Sequence, residues 1–365
     1  MTPDTQNLLQ KEQTKQKRLP ELSYLNVLFC IIVICVHILS EPVTMLDKLS
    51  IQYFVTYTPW KLFQFVTQGF VFLSGLKLFI KDRSDMNAGR FYLERAKRVL
   101  LPYLLWVIIY YLYFIWIGWY SFSLSELFHY IIAGDLVAHF YFVIIIAQMY
   151  LLTPLLAKLF KKCSVYIILV YSLFISVLFG QYLPHVLSII SPDINLWYND
   201  RLFTTYIFYF IAGAAIGTNY DTVICKLREA RALIYSAFVF FSLANLVLSY
   251  ISISAKAYIH WCDTLHFAYS VSAILASLTF AKGFADKHKK LPKPISGFIK
   301  AADSSSYMLY LSHILVILIV RRRLDNAVSD IGIRLLVTVF ALALFTVAAS
   351  IIWTYLKKTV KYRRI

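Results

Sequence analysis
Three histidines lie in or beside long apolar runs of the chain: His37, His139 and His313. Imidazole gains or loses a proton near neutral pH, so each could move a proton during a reaction. His37 is bracketed by Ile34, Cys35, Val36, Ile38 and Leu39. An ionisable group inside such a run is costly and by default marks a functional site with a partner. The plainer alternative is a neutral His hydrogen-bonded within a helix bundle. Asn26 stands eleven residues earlier. On one helix the two differ by about 20° in azimuth and about 16 Å in height, so they share a face. Arg95 and Arg98 form an i, i+3 pair ahead of Pro102. Two guanidinium forks on one face can hold phosphates in bidentate fashion. They could equally be the basic flank of a membrane span. Gln64 and Gln68 share a face and could line a polar cavity. Gly69, Ser74 and Gly75 permit close helix approach. His139 opens the run His139-Phe-Tyr-Phe, beside a loop carrying Glu126, His129 and Asp135. That cluster could bind sugars or form an interfacial belt. His313, at the end of Ser306-Tyr-Met-Leu-Tyr-Leu-Ser-His313, could serve a substrate or pack against a neighbouring helix.

The elements that hold these residues follow from composition. Of 365 residues, 60% are hydrophobic, 17% are Phe, Trp or Tyr and 15% are charged. So few charges cannot cover the surface of a soluble domain, which excludes soluble, disordered and collagen-like chains. An all-α polytopic membrane protein remains. About 20 apolar residues cross the hydrocarbon of a bilayer. Ten runs qualify: 22–40, 60–80, 98–117, 139–160, 165–183, 201–218, 231–253, 264–283, 305–321 and 333–355. Continuous apolarity predicts helices rather than barrel strands. Pro102 lies near the start of the third run, and Ser304, Ser305 and Ser306 are candidate caps before the ninth. The expected organisation is a polar tail over 1–21, a bundle over 22–355 and a basic tail over 356–365, with no repeat and no cleavable signal peptide.

The net charge is +17, from 36 basic and 19 acidic residues. Alternate loops sort the cations: 27 fall in one set and 8 in the other, with Lys77 apart. An excess of Lys and Arg marks the cytoplasmic side, so both termini are expected there and nucleic acid is not an expected partner. Arg321–Arg323 oppose the rule; they could snorkel at a helix end or bind an anion. The five cysteines show no CxxC spacing and suggest neither a metal site nor redox chemistry. No P-loop, GxSxG or HExxH motif occurs.

Short signatures do occur in order. They are His37, Phe70-Val-Phe-Leu-Ser-Gly75, Arg95-x-x-Arg98-x-x-x-Pro102, His139-Phe-Tyr-Phe before Tyr150-Leu-Leu-Thr-Pro154, Phe208-Tyr-Phe-Ile-Ala-Gly213, and Ser305 to His313. Across nearly the whole chain this set resembles the membrane-bound acyltransferase family 3, multi-span bacterial proteins that acylate cell-surface glycans. Glu21-Leu-Ser-Tyr-Leu, Phe208-Tyr-Phe and Gly217-Thr-Asn-Tyr220 look closest to the polysaccharide intercellular adhesin (intercellular adhesion protein C) type. The resemblance implies a bacterial cytoplasmic-membrane enzyme. It would move an acyl group, acetyl or succinyl, from cytosolic acyl-CoA to a polysaccharide or lipid-linked glycan, alongside a glycan synthase. His37 takes the place of the family's essential first-helix His, and Arg95 and Arg98 that of the pair linked to donor use. The family usually has Arg eleven residues before that His; Asn26 keeps the hydrogen bonding and loses the charge. As a neutral imidazole, His37 would act as general base on a sugar hydroxyl or carry the acyl group transiently. The rival reading is a polysaccharide exporter or flippase.

Overall fold
The structure, a computed structural model, describes residues 19–362 apart from 82–85, 191–197, 258, 260, 289–290, 325–326 and 329. Most of the predicted tail over 1–21, and the last three residues of the basic tail, lie outside the described residues. The rest is helical, without a strand among the described residues. In order the helices are α1 (Pro20–Met45), α2 (Ile51–Phe63), α3 (Val66–Phe79), α4 (Ala88–Arg95), α5 (Leu101–Trp116), α6 (Leu124–Ala133), α7 (Tyr141–Lys162), α8 (Val165–Val177), α9 (Leu183–Ile190), α10 (Phe203–Thr218), α11 (Tyr220–Glu229), α12 (Arg231–Ala255), α13 (Trp261–Lys287), α14 (Lys293–Leu324) and α15 (Ile331–Tyr362).

Nine crossings among these residues are long and apolar enough to span a bilayer; α2 with α3, α4 with α5, and α8 with the start of α9 each count as one. The tenth expected span, over 201–218, is α10, which bends by 104° into α11. It is also buried nearly all round, from Tyr206 to Gly217. A helix apolar on every side suits either lipid or a protein interior, and hydropathy alone does not separate the two. Here protein surrounds it, and counted with α11 as one bent span it brings the crossings to ten. Gly75 of α3 and Gly213 of α10 make the close approach: a Cβ on Gly75 would overlap the Phe210 carbonyl oxygen, and one on Gly213 that of Phe72.

Three boundaries differ from the hydropathy reading. The second crossing starts at Ile51, nine residues early, because Ser50 caps it by accepting from the Tyr53 N–H at 3.1 Å. The third starts at Ala88 and passes through a wide π turn over Ala96–Leu100. Pro102 has no N–H to give the Arg98 carbonyl, which favours that turn. The ninth starts at Lys293 with Pro294 in its first turn, so Ser304, Ser305 and Ser306 are not caps. Their hydroxyls donate back to Ala301 and Asp303 carbonyls within the helix.

Candidate active site
Inside the bundle, His37 of α1, His139 just ahead of α7 and His313 of α14 converge. Their ring centroids are 5.2 Å (His37–His313), 4.8 Å (His139–His313) and 6.0 Å (His37–His139) apart. His37 and His139 line a cavity of about 320 Å³, with Gln64, Gln68, Thr67, Tyr141, Tyr206, His266 and Tyr310 among its walls. Thr67 and Tyr141 hydroxyls share a hydrogen bond of 2.8 Å across it. His139 and His313 are each 1% exposed, whereas His37 is partly open. Among the described residues no group of three His, Cys, Asp or Glu side chains is arranged to hold a metal ion.

Backbone carbonyls fix the tautomers of the two buried rings. His139 Nε2 meets the Leu311 carbonyl at 3.3 Å, and His313 Nδ1 meets the Tyr310 carbonyl at 2.7 Å. A carbonyl only accepts, so those nitrogens carry the protons of the neutral rings. His139 Nδ1 and His313 Nε2 are left as lone pairs, buried and without a hydrogen-bond partner. Tyr110 prepares the place. Its hydroxyl donates to the Leu311 carbonyl at 3.1 Å and accepts from the Leu315 N–H at 2.7 Å, inserting itself into the α14 ladder on either side of His313. Tyr310 in turn donates to the His139 carbonyl.

His37 is held from its backbone. Pro42 lacks the N–H that the Ile38 carbonyl would otherwise receive. Arg321 fills the gap, donating to the carbonyls of both Ile38 and His37 at 3.2 Å. Glu41 then pairs with Arg321 at 2.6 Å and with Arg334 at 2.7 Å, which ties α1, α14 and α15 together. Arg321 thus belongs to an internal clamp; Arg322 and Arg323 face outward.

A second cavity, of about 240 Å³, adjoins the first. Asn26, Cys30, Ser74, Arg98, Tyr150 and Ser306 are in its lining, and Phe70, Phe142 and Tyr310 line both cavities. Asn26 donates to Asp303 at 2.7 Å and to Ser306 at 2.9 Å, and Ser23 donates to the other Asp303 oxygen at 2.8 Å. Lys77 of α3 stands 3.9 Å from that carboxylate. The π turn brings Arg98 to this cavity, and Tyr307 holds the turn by donating to the Val99 carbonyl at 2.8 Å. Arg95 stacks over Phe91 and Tyr150, 5.2 and 5.3 Å from their ring centroids. The two arginines therefore converge on Tyr150 from either side of the turn.

The acyltransferase domain numbered 3 among its kind matches residues 19–355, nearly the entire chain. The chain belongs to acyltransferase family 3. No curated protein and no solved structure matches it. As a multi-pass membrane acyltransferase, the molecule gathers His37, His139 and Gln68 around one cavity, with His313 packed behind the two histidines, and Asn26 and Arg98 around the next, with Arg95 at its border. Of the loop cluster, His129 and Asp135 meet at 3.1 Å, and Tyr198 joins both. Glu126 instead sits in the first turn of α6, capped by Ser123. Sequence reasoning missed four members of the acyltransferase site. His266 lies inside a span, where the rule that singles out His37 would also have found it. Tyr141 and Tyr310 stand inside the signatures around His139 and His313, but nothing in the sequence set them apart as site residues among 27 tyrosines. Asp303 was lost because the ninth span was started two residues after it.

Proposed function
We propose that this acyltransferase moves an acetyl or succinyl group from cytosolic acyl-CoA to a hydroxyl of a cell-surface or exported polysaccharide, in the cytoplasmic membrane of a bacterium. The supporting observation is the pair of adjoining cavities, one bordered by Arg98 and Asn26 and the other by His37, with a common wall. Guanidinium groups suit the phosphates of CoA. Because 27 of 36 cations fall on the Arg95–Arg98 side, that side and both termini are assigned to the cytoplasm. The thioester arm then reaches inward toward His37, and the acceptor enters from the opposite face, near His129, Asp135 and Tyr198.

In the transfer, His37 takes the proton of the acceptor hydroxyl. The hydroxyl oxygen attacks the thioester carbonyl, a carbon–oxygen bond forms and the carbon–sulfur bond breaks. The proton passes from His37 to the sulfur, and CoA leaves as a free thiol. The lone pair of His139 Nδ1 is an acceptor for a neighbouring hydroxyl of the sugar. A cavity of about 320 Å³ sits at the small end of the roughly 300–1,000 Å³ of ligand pockets. That suits one sugar unit better than a polymer in transit, and so favours transfer over export. A glycan synthase would supply the polymer, free or lipid-linked.

Mass spectrometry of surface polysaccharide tests the reading. Cells lacking the chain should keep the polymer and lose its ester. His37→Ala and Arg95→Ala proteins, confirmed in the membrane, should not restore it. Full acylation by both variants sinks the assignment, and loss of the polymer itself points to the exporter.

A further inference from the structure
The wall between the two cavities consists of Phe70 from α3, Phe142 from α7 and Tyr310 from α14, the three side chains that line both. Phe142 links the other two, with ring centroids 5.8 Å from Phe70 and 5.5 Å from Tyr310. The two outer rings are also braced from outside the wall. Phe70 packs edge-on against buried Phe29 at 5.6 Å, and Phe29 itself fills the space over Gly69. Tyr310 stacks on Tyr307 at an interplanar angle of 10° and is anchored through its hydroxyl to the His139 carbonyl. Rings so buttressed do not swing far from one another.

We propose that Phe70, Phe142 and Tyr310 form an aromatic bottleneck that admits only short, uncharged acyl groups to His37. The inference rests on the acyl-CoA reading above and narrows its donor. Size argues for a short group. A cavity of about 150 Å³ takes one benzene ring, so the 320 Å³ beside His37 holds about one sugar ring and a few further atoms. A chain of eight carbons would have to thread the wall and fill the space the acceptor needs. Charge argues against a succinyl group. The His37 cavity has no Lys or Arg among the described residues of its lining. A carboxylate driven between three aromatic rings would lose its hydration with no cation to receive it. Arg98, which borders the second cavity, would hold such a carboxylate back on the donor side.

The test uses membranes carrying the full-length protein, and surface polysaccharide from cells lacking the gene, chemically de-esterified. Acetyl-CoA, succinyl-CoA and octanoyl-CoA are offered in turn, and ester on the polymer is read by mass spectrometry. The wild-type chain should use acetyl-CoA at least tenfold better than either other donor. Phe142→Ala should raise the octanoyl-to-acetyl ratio by tenfold or more, and the milder Phe142→Leu should raise it less. The ratio is taken within each protein, so a partial loss of activity does not blur it. Equal use of octanoyl-CoA or succinyl-CoA by the wild type overturns the bottleneck, as does an unchanged ratio in both variants. Ester from none of the three donors overturns the acyl-transfer reading, and the bottleneck with it.

Discussion
At the scale of single residues, the site separates one imidazole open to the cavity from two fixed ones. Both buried rings spend a proton on a carbonyl of α14, whereas His37 opens to the cavity. Replacing His37 with Ala should therefore lower transfer by about 10²–10⁴-fold, the usual range for a general base, with the protein still in the membrane. Release of free CoA thiol from acetyl-CoA measures it. Arg98→Lys keeps the charge and loses the fork, so the KM for acyl-CoA should rise by about tenfold while kcat moves less. Much of this was legible in the chain. His37 stands out because a span has few reasons to carry an ionisable group, and Arg98 because its spacing to Arg95 is helical. Asp303 and Lys77 were not legible. Each is an ordinary flanking charge in one dimension, and only the packing of α14 against α1 places them 3.9 Å apart beside Asn26.

At the scale of elements, two prolines and two glycines shape the bundle. Pro102 yields the wide turn that delivers Arg98, and Pro42 yields the open carbonyl that Arg321 caps. Glu41→Gln would weaken a half-buried carboxylate shared by two arginines. Hydrogen bonds to charged groups contribute about 1.5–3 kcal/mol, so a loss near 2 kcal/mol and a lower Tm in detergent are expected. Gly213→Leu should do more harm, because its side chain has only the Phe72 backbone to enter. Overpacked cores typically lose about 1–3 kcal/mol; with backbone as the obstacle, the expected readout is little folded protein in the membrane fraction. Hydropathy found nine of the crossings, since burial in lipid and apolar composition go together. It did not show that protein surrounds α10, and it missed the polar first turns of α14, whose Lys293, Lys300 and Asp303 lower the average.

At the scale of the molecule, the charge excess and the two cavities describe one axis. In the proposed topology the basic loops gather on one side, Arg98 opens toward it, and His37 lies deeper. Two native thiols can check this. Cys163 and Cys225 are exposed and belong to the basic set, so a membrane-impermeant maleimide should label them from the cytoplasmic side. A cysteine placed at Lys48 should react from the other. Labelling of all three from one side would discard the axis and the route of the donor with it.

Helices α1 and α14 are joined at both ends: Ser23 and Asn26 hold Asp303 at one, and Glu41 holds Arg321 at the other. The eighteen residues from Ser23 to Glu41 cover about 27 Å of helix, so the pair behaves as a single girder through the bundle. His37 and His313 ride on it and keep their separation through every turnover. Of the three rings of the wall, Tyr310 belongs to this pair, while Phe70 and Phe142 sit on α3 and α7. The girder thus sets one edge of the aromatic wall, and α3 and α7 supply the rest.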